Sequence, residues 1–490
     1  MTGQPASVVV IGGGLAGITA AIALSEAGAS VTLLEARPRL GGATCSFSRD
    51  GLIVDNGQHV FLRCCTAYRG LLARLGMAGS VTLQDRFDVT VASPGGRARL
   101  RRTGLPGPLH MGAALAGYRL LSYSQRLRVA RAALAMTALD PARGDLDATR
   151  LGDWLAAHGQ DERTRRVLWD LFTVSSLNVP GDDASLALAA TVVKTALLGA
   201  RDAADIGVPA IPLGDLHGRA AAALLGRQGA QVRLGAKVAA VSLPPGGHGG
   251  ANGSTARLRV QLAERRGNGG PTAIEADGIV LAVPPEAAAR LMPAGAPAGH
   301  PGPAQWRQLA TSPIVNVHVI YDRRVTRLPF VAAVDSPVQW VFDRTGPSGL
   351  RTGQYLAISL SAADSYVDVP APALREQFLP ALAELFPAAR DARVTDFFVT
   401  RERRATLRQV PGCERLRPPA ATAVPGLVLA GAWTGTGWPD TMEGAVRSGL
   451  NAVRALRRDL AMAGGGAPAS NGRAVRPARL SGVAGAGEPA

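Results

Sequence analysis

Val8-Val9-Val10-Ile11 is an unbroken apolar run that ends on Gly12-Gly13-Gly14-Leu15-Ala16-Gly17. After a stretch of small residues a second apolar run, Val31-Thr32-Leu33-Leu34, closes on Glu35. Short apolar runs bounded by glycine read as fully buried strands, and the small-residue stretch between them as a helix. Residues 1 to about 80 are therefore expected to form a βαβ unit and its extension. Leu83–Leu100 alternates enough to be strands, whereas 111–139 and 150–200, rich in Ala and Leu with Arg on one face, read as helices. A helix over Asp215–Gly226, a strand over Gln231–Val241 and, after a hairpin, a strand from Gly278 to Val283 that runs into Pro284-Pro285 return the chain to the first unit. Strand-like runs at Ile314–Tyr321, Val338–Phe342, Tyr355–Ser361 and Arg393–Thr400, with a helix at 373–386, predict a second sheet. Leu427-Val428-Leu429-Ala430-Gly431 is again a short buried strand, and Asp440–Gly449 opens a helix for which Asp440 is the expected N-cap.

This order implies two interleaved domains, one from residues 1–82, 205–292 and 411–462, the other from 83–204 and 293–410. The Gly- and Pro-rich segment 244–254 reads as a hairpin tip and 263–272 as a second hinge of the same sheet. Residues 463–490, with almost no large apolar side chains, predict a disordered tail.

The first glycine turn has a chemical reading. Gly12 permits the tight turn, Gly14 lets backbone N–H groups approach a pyrophosphate, and Gly17 lets helix and strand pack closely. Glu35, eighteen residues after Gly17, can accept from a ribose hydroxyl. The helix N-terminus adds its partial positive charge. Directly after the acid comes a second glycine turn, Arg37-Pro38-Arg39-Leu40-Gly41-Gly42, which a simple nicotinamide dehydrogenase does not need. No second GxGxxG follows a strand, so electrons must be exchanged with something that diffuses in.

Composition narrows the partners. The chain has 490 residues, 47% of them hydrophobic, enough for two or three domains with a substantial core. Its net charge of +16 is carried by arginine, with lysine only at Lys194 and Lys237. No aromatic-basic stacking motif accompanies that charge, so nucleic acid is not an expected partner, whereas attraction to an anionic membrane surface is compatible with it. Cys45, Cys64, Cys65 and Cys413 form no CxxC and no metal-like cluster, so no metal is expected and a reducing cytoplasm fits. With no signal-peptide pattern and no apolar run of about eighteen residues, the expected location is cytoplasmic, with peripheral contact on the inner face of the plasma membrane as a further expectation.

The second glycine turn resembles the FAD-binding start of the amine oxidase and carotenoid desaturase superfamily, and the strand Leu427–Gly431 with the helix after it resembles that superfamily's closing cofactor segment. The resemblance implies FAD, and a Rossmann-like α/β FAD-binding domain of amine oxidase type interleaved with an α+β substrate-binding domain. More specifically, Asp55-Asn56-Gly57-Gln58-His59-Val60, Leu177-Asn178-Val179-Pro180 with Ala184-Ser185, Gln339 to Arg344, Arg403-Arg404-Ala405-Thr406 and Trp433 to Pro439 are similar to the hydroxysqualene dehydroxylase family of bacterial hopanoid pathways. The similarity spans about residues 6–458. It implies reductive removal of the allylic hydroxyl of hydroxysqualene, an isoprenoid, to give squalene, with electrons from an external donor. The FAD-contacting set is then Gly12, Gly14, Leu15, Ala16, Gly17, Glu35, Ala36, Arg37, Gly41, Gly42, Ala43, Gly57, Gln58, His59, Val238, Gly431, Thr441, Met442, Glu443 and Ala445.

For the proton that the leaving hydroxyl needs, Asp55 and His59 are the expected acids. Trp340 and Trp438 are the expected substrate contacts, offering π faces to a developing cation. Two positions depart from the family pattern: Ala432 stands where an acidic residue is expected, and Ala43 where an arginine is. Two other readings are compatible with the same fold. One is an isoprenoid desaturase, such as a phytoene desaturase, with electron flow reversed; the other is an isoprenoid-binding escort without redox work. An amine oxidase fits less well, since no lysine follows Lys237.

Overall fold

The computed structural model describes residues 5–243, 257–263, 273–297 and 299–463. The expected hairpin tip 244–254, nearly all of the hinge 263–272 and nearly all of the tail 463–490 lie outside the described residues.

The first apolar run forms strand β1 (Ser7–Ile11), the small-residue stretch helix α1 (Leu15–Glu26) and the second run β2 (Ser30–Glu35). Later returns of the chain add β3 (Gln231–Leu234), β4 (Gly278–Leu281) and β5 (Leu427–Leu429). These five strands make one parallel sheet in the order β3-β2-β1-β4-β5. Its central strands are apolar at nearly every position because helices cover both faces. The closing helix α2 (Met442–Ala463) packs across α1, and Gly449 permits the crossing, since an added Cβ there would stand 2.4 Å from the Ala16 carbonyl oxygen. The chain is thus a mixed α/β protein built on a parallel, Rossmann-type sheet.

A second sheet of seven strands runs in the order 394–407, 311–321, 354–360, 340–343, 330–333, 88–93, 96–101. Val315, Val317, Val319 and Val341 point to one face, against the helix Ala371–Leu385. Phe342 and Phe330 point to the other, against the helices between residues 123 and 198. On the opposite face of the strand 311–321 from Val315, Val317 and Val319, Asn316 donates to the Asn56 carbonyl and Ile320 packs with Val54 of the hairpin 46–55 of the nucleotide-binding half. The seam between the two sheets is made there.

Two expected elements differ. The strand 231–241 is two strands: β3 ends at Leu234, Gly235 turns the chain at φ 64°, and Val238–Ser242 joins a separate three-stranded antiparallel sheet. The helical stretch 150–200 is broken into short pieces, because Asp161 and Ser185 cap new helices and Asn178 ends one in the left-handed conformation, φ 53°. Among the described residues no helix is long and apolar enough to cross a membrane.

Candidate cofactor site and active site

The two glycine turns are packed on each other. Gly12, at φ 107°, leaves no room for a side chain: a Cβ would lie 2.2 Å from the Ala282 carbonyl oxygen. A Cβ on Gly17 would lie 1.9 Å from the Gly12 carbonyl oxygen, so α1 can approach the turn only with glycine there. Gly41 N–H donates to the Gly13 carbonyl at 2.8 Å, and a Cβ on Gly42 would come 2.8 Å from Gly14 Cα. Gly14 is different, because the nearest atom to its added Cβ is 3.8 Å away. The requirement for glycine at 14 is therefore not set by the protein's own packing.

Glu35 is buried, and its two carboxylate oxygens accept the N–H groups of Gly13 at 2.6 Å and Arg37 at 2.7 Å. Each oxygen keeps a further lone pair for an outside donor. Leu15 and Ala16, in the first turn of α1, are buried; Ala36 and Arg37 are exposed beyond the acid. No side chain caps α1 and no acidic residue lies in its first turn. Its end is left electropositive.

In the closing segment Gly431 sits at φ 142° over the edge of Trp433, whose Nε1–H donates to the Val283 carbonyl at 2.9 Å. The loop after it is gathered around Arg417, which is buried and donates to the carbonyls of Ala432 (2.7 Å), Thr434 (3.1 Å) and Trp438 (2.9 Å). Asp440 does not cap α2: its carboxylate accepts Leu407 N–H at 2.6 Å, and the Thr441 hydroxyl takes the cap position, 3.4 Å from Gly444 N. Met442 and Ala445 lie half-buried in the first turn of α2. The Glu443 carboxylate is turned away to the N–H groups of Ala67 and Tyr68, capping the helix Thr66–Arg74, and is paired with Arg447.

At the seam the expected acids are placed otherwise than their chemistry requires. Asp55 Oδ2 accepts from Arg344 at 2.6 Å, while Oδ1 accepts from Ser46 Oγ at 2.6 Å and Leu213 N–H at 3.0 Å. Both oxygens of this buried carboxylate are therefore engaged as acceptors within the protein, one of them from a guanidinium. His59 Nδ1 faces the Gly57 carbonyl at 3.2 Å, which makes Nδ1 the protonated nitrogen and leaves Nε2 as an acceptor. Desolvation pushes the His59 imidazole below its ordinary range, against the upward pull of the Gly57 carbonyl and of Asp55. His59 is therefore neutral at neutral pH.

Next to Asp55 in the chain, Asn56 holds a carboxylate that the sequence reading missed. Asn56 accepts Cys45 N–H at 3.1 Å and donates both to the Ala43 carbonyl at 2.8 Å and to Glu402 Oε1 at 2.9 Å. Thr400 Oγ1 and Asn316 Nδ2 both donate to the Asn56 carbonyl. Glu402 is half-buried beside the second glycine turn, with Oε2 free of protein donors among the described residues. Gly57 is buried against Asn316, Gln58 is half-buried, and the buried Oδ1 of Asn316 has no hydrogen-bond partner among the described residues. The strand alternation that puts Thr400 and Glu402 on one face was the available signal, but the strand was expected to end at Thr400, before Glu402.

The two tryptophans separate. Trp438 is buried and Arg447 lies over its ring at 4.5 Å, so that π face is occupied by a guanidinium rather than open to a substrate. Trp340 is half-buried and stacks at 6.1 Å on Phe342, with Phe330 alongside, in the apolar layer between the seven-stranded sheet and its helices. Val238 lies in the three-stranded sheet, packed against the cluster that contains Val9 and Ile11. The four cysteines are free, and no cluster able to hold a metal occurs among the described residues.

An uncapped helix N-terminus behind a Gly14 that the protein leaves open, an acid with lone pairs to spare and an orphaned acceptor at the seam fit a dinucleotide whose other end reaches the boundary of the two sheets. The family comparison agrees. The model of the flavin containing amine oxidoreductases matches residues 15–457, and the chain belongs to that family. It binds FAD and is an FAD-dependent oxidoreductase. It is 29% identical to a hydroxysqualene dehydroxylase of Rhodopseudomonas palustris, over 94% of this chain and 99% of the relative. It is 24% identical to a probable zeta-carotene desaturase of Synechococcus elongatus, over 93% and 99%. Among solved structures, a putrescine oxidase double mutant superposes with a TM-score of 0.66 at 21% identity, covering 94% of this chain and 99% of that one, a likeness of fold.

Proposed function

We propose that this protein reduces hydroxysqualene to squalene. The observation that carries the reading is the near full-length similarity to a hydroxysqualene dehydroxylase. Bound FAD, when reduced by an external donor, supplies a hydride. The chain's own residues then have three tasks. Gly12 to Gly17, Glu35, Gly41-Gly42 and the first turn of α2 would hold the cofactor, the backbone N–H groups of the glycine turn serving its phosphates and the Glu35 carboxylate a ribose hydroxyl. Trp340 and its aromatic neighbours form the wall for an apolar chain. Glu402 delivers the proton: loss of an allylic hydroxyl as water requires one proton at that oxygen, and Oε2 is the seam carboxylate oxygen that accepts from no protein donor among the described residues. Asn56 fixes Oε1, and His59 Nε2 orients the hydroxyl by accepting from it. Asp55 and Arg344 lock the seam and are positioning residues. The donor that reduces the cofactor and the bilayer that brings a water-insoluble C30 alcohol are the implied partners.

The desaturase relative favours a second reading, in which oxidised FAD removes hydride from a polyene in the same layer. Membership of a flavin oxidoreductase family leaves an escort role without support. An anaerobic pair of half-reactions tests these. Pre-reduced protein is mixed with hydroxysqualene, and oxidised protein with phytoene or zeta-carotene. Reoxidation of the flavin with squalene in the extract supports the dehydroxylase. Bleaching by a carotene, with no reaction toward hydroxysqualene, replaces it with the desaturase.

A further inference from the structure

Among the described residues ten large apolar side chains are exposed, and five of them fall between residues 105 and 134: Leu105 (53%), Leu109 (61%), Tyr123 (72%), Leu127 (44%) and Leu134 (66%). The helix Tyr123–Thr137 explains why they gather. Val129, Ala132 and Met136 point into the core, as an amphipathic surface helix requires. Tyr123, Leu127 and Leu134 fall within about 40° of one another on the opposite side, at 3.6 residues per turn. The helix is therefore apolar on two opposite faces, one with no partner among the described residues. Arg126 and Arg131 border that second stripe, and the Arg126 guanidinium ties the helix to Ala116 of the preceding one.

The segment that leads into this helix also lines a groove of about 860 Å³ at the edge of the seven-stranded sheet. Arg97, Arg99, Arg119, Arg324 and Arg327 line it. Arg99 is paired with Asp88 and Arg97 donates to the Leu385 carbonyl. Among the described residues Arg119, Arg324 and Arg327 make no ion pair. Unpaired guanidiniums crowded into one groove repel each other unless an anion joins them, and their fork geometry suits phosphate oxygens.

We propose that this face, the apolar stripe with the adjoining arginine groove, docks on the surface of an anionic phospholipid bilayer. The stripe enters the boundary between headgroups and acyl chains, and the groove takes lipid phosphates. Charge decides between a bilayer and a protein partner: the charged side chains bordering the stripe, Arg126 and Arg131, and those lining the groove are all arginine, and the chain carries +16, whereas protein interfaces mix both signs around an apolar centre. The proposal deepens the reading of a lipid-borne substrate and rests on it for its purpose, but its test needs no substrate.

Flavin-loaded full-length protein is sedimented with vesicles of phosphatidylcholine, alone or mixed with phosphatidylglycerol, at low and high salt. Expected is strong binding to the mixed vesicles, weakened by salt. Leu127→Glu with Leu134→Glu is expected to lower binding about tenfold or more at unchanged flavin content and thermal midpoint. Arg119→Glu with Arg324→Glu and Arg327→Glu should abolish the preference for phosphatidylglycerol. Failure of the native protein to bind either vesicle, or equal binding by the leucine variant, overturns the proposal. So does a dimer in solution that the leucine variant disperses, which would make the face a subunit contact. If inorganic pyrophosphate binds the groove while vesicles do not, the groove is a site for soluble anions and the proposal is lost. None of these results alters the anaerobic half-reactions, so the two readings fail separately.

Discussion

Asp55 and Arg344 stand 289 positions apart in the chain and meet at 2.6 Å, both almost wholly withdrawn from solvent. The pair joins the hairpin 46–55 of the nucleotide-binding half to the end of the strand 340–343 in the other sheet, and Arg344 also donates to the Pro209 carbonyl. Removing one partner of such a pair leaves a buried charge without compensation. Asp55→Leu should therefore lower stability by about 3–5 kcal/mol, and adding Arg344→Met should recover most of it. Denaturant unfolding of the two variants checks this. Full stability of Asp55→Leu with loss of turnover alone would return Asp55 to the role of acid.

Glu402→Gln keeps an oxygen for the Asn56 amide and removes the exchangeable proton. FAD content and folding should be unchanged, while reoxidation of the reduced protein by hydroxysqualene slows by roughly 10²–10⁴-fold and loses the pH limb that reports a carboxylic acid. A variant as fast as the native protein, with the same pH profile, leaves Glu402 without a chemical task.

Gly14 and Gly17 should part company on substitution. Gly17→Ala places a Cβ 1.9 Å from the Gly12 carbonyl oxygen and is expected to destabilise the flavin-free protein. Gly14→Ala meets only ordinary contacts, 3.8 Å at the nearest, at a residue whose φ of −77° suits alanine. Its thermal midpoint without flavin should stay near the native value, while FAD affinity falls by tenfold or more as the backbone is held off the pyrophosphate. Calorimetry and flavin titration of both apoproteins separate the two effects.

Asp170 predicts a pH dependence. Burial, reinforced by Asp182 and opposed by Arg165 and Arg166, pushes its carboxyl up to about 6 from an ordinary 3.8. The folded state then binds the proton more tightly than the unfolded chain, so stability falls as pH rises through that window and is lowest above it. Asp170→Asn removes the penalty. It should raise stability at pH 7.5 by up to about 3 kcal/mol and have little effect below about pH 3, where both states are protonated. Unfolding curves at the two pH values test the sign as well as the size.

The nucleotide-binding half was largely legible in the chain because its determinants are local. Val8–Ile11, the turn Gly12–Gly17 and Val31–Glu35 are consecutive, and apolar run, glycine turn and acid each dictate their own backbone. The seam was not legible. Asp55 looked like a free acid until Arg344 arrived from the other sheet, Trp438 looked open until Arg447 covered it, and Glu402 drew no reading at all until Asn56 held it beside the glycine turn. Arg417, which gathers the closing loop, was hidden among many arginines.

The amino-acid order by itself determined the cofactor class and the parallel sheet, because a buried strand, a turn that only glycine can make and a helix N-terminus are written within neighbouring residues. Which carboxylate is locked into an ion pair was decided only when Asp55 and Arg344, hundreds of positions apart, were brought together, and which aromatic face is covered only when the closing helix placed Arg447 over Trp438. Ionisation and exposure depend on the nearest charges and on the water excluded around them, and those neighbours exist only in the folded chain.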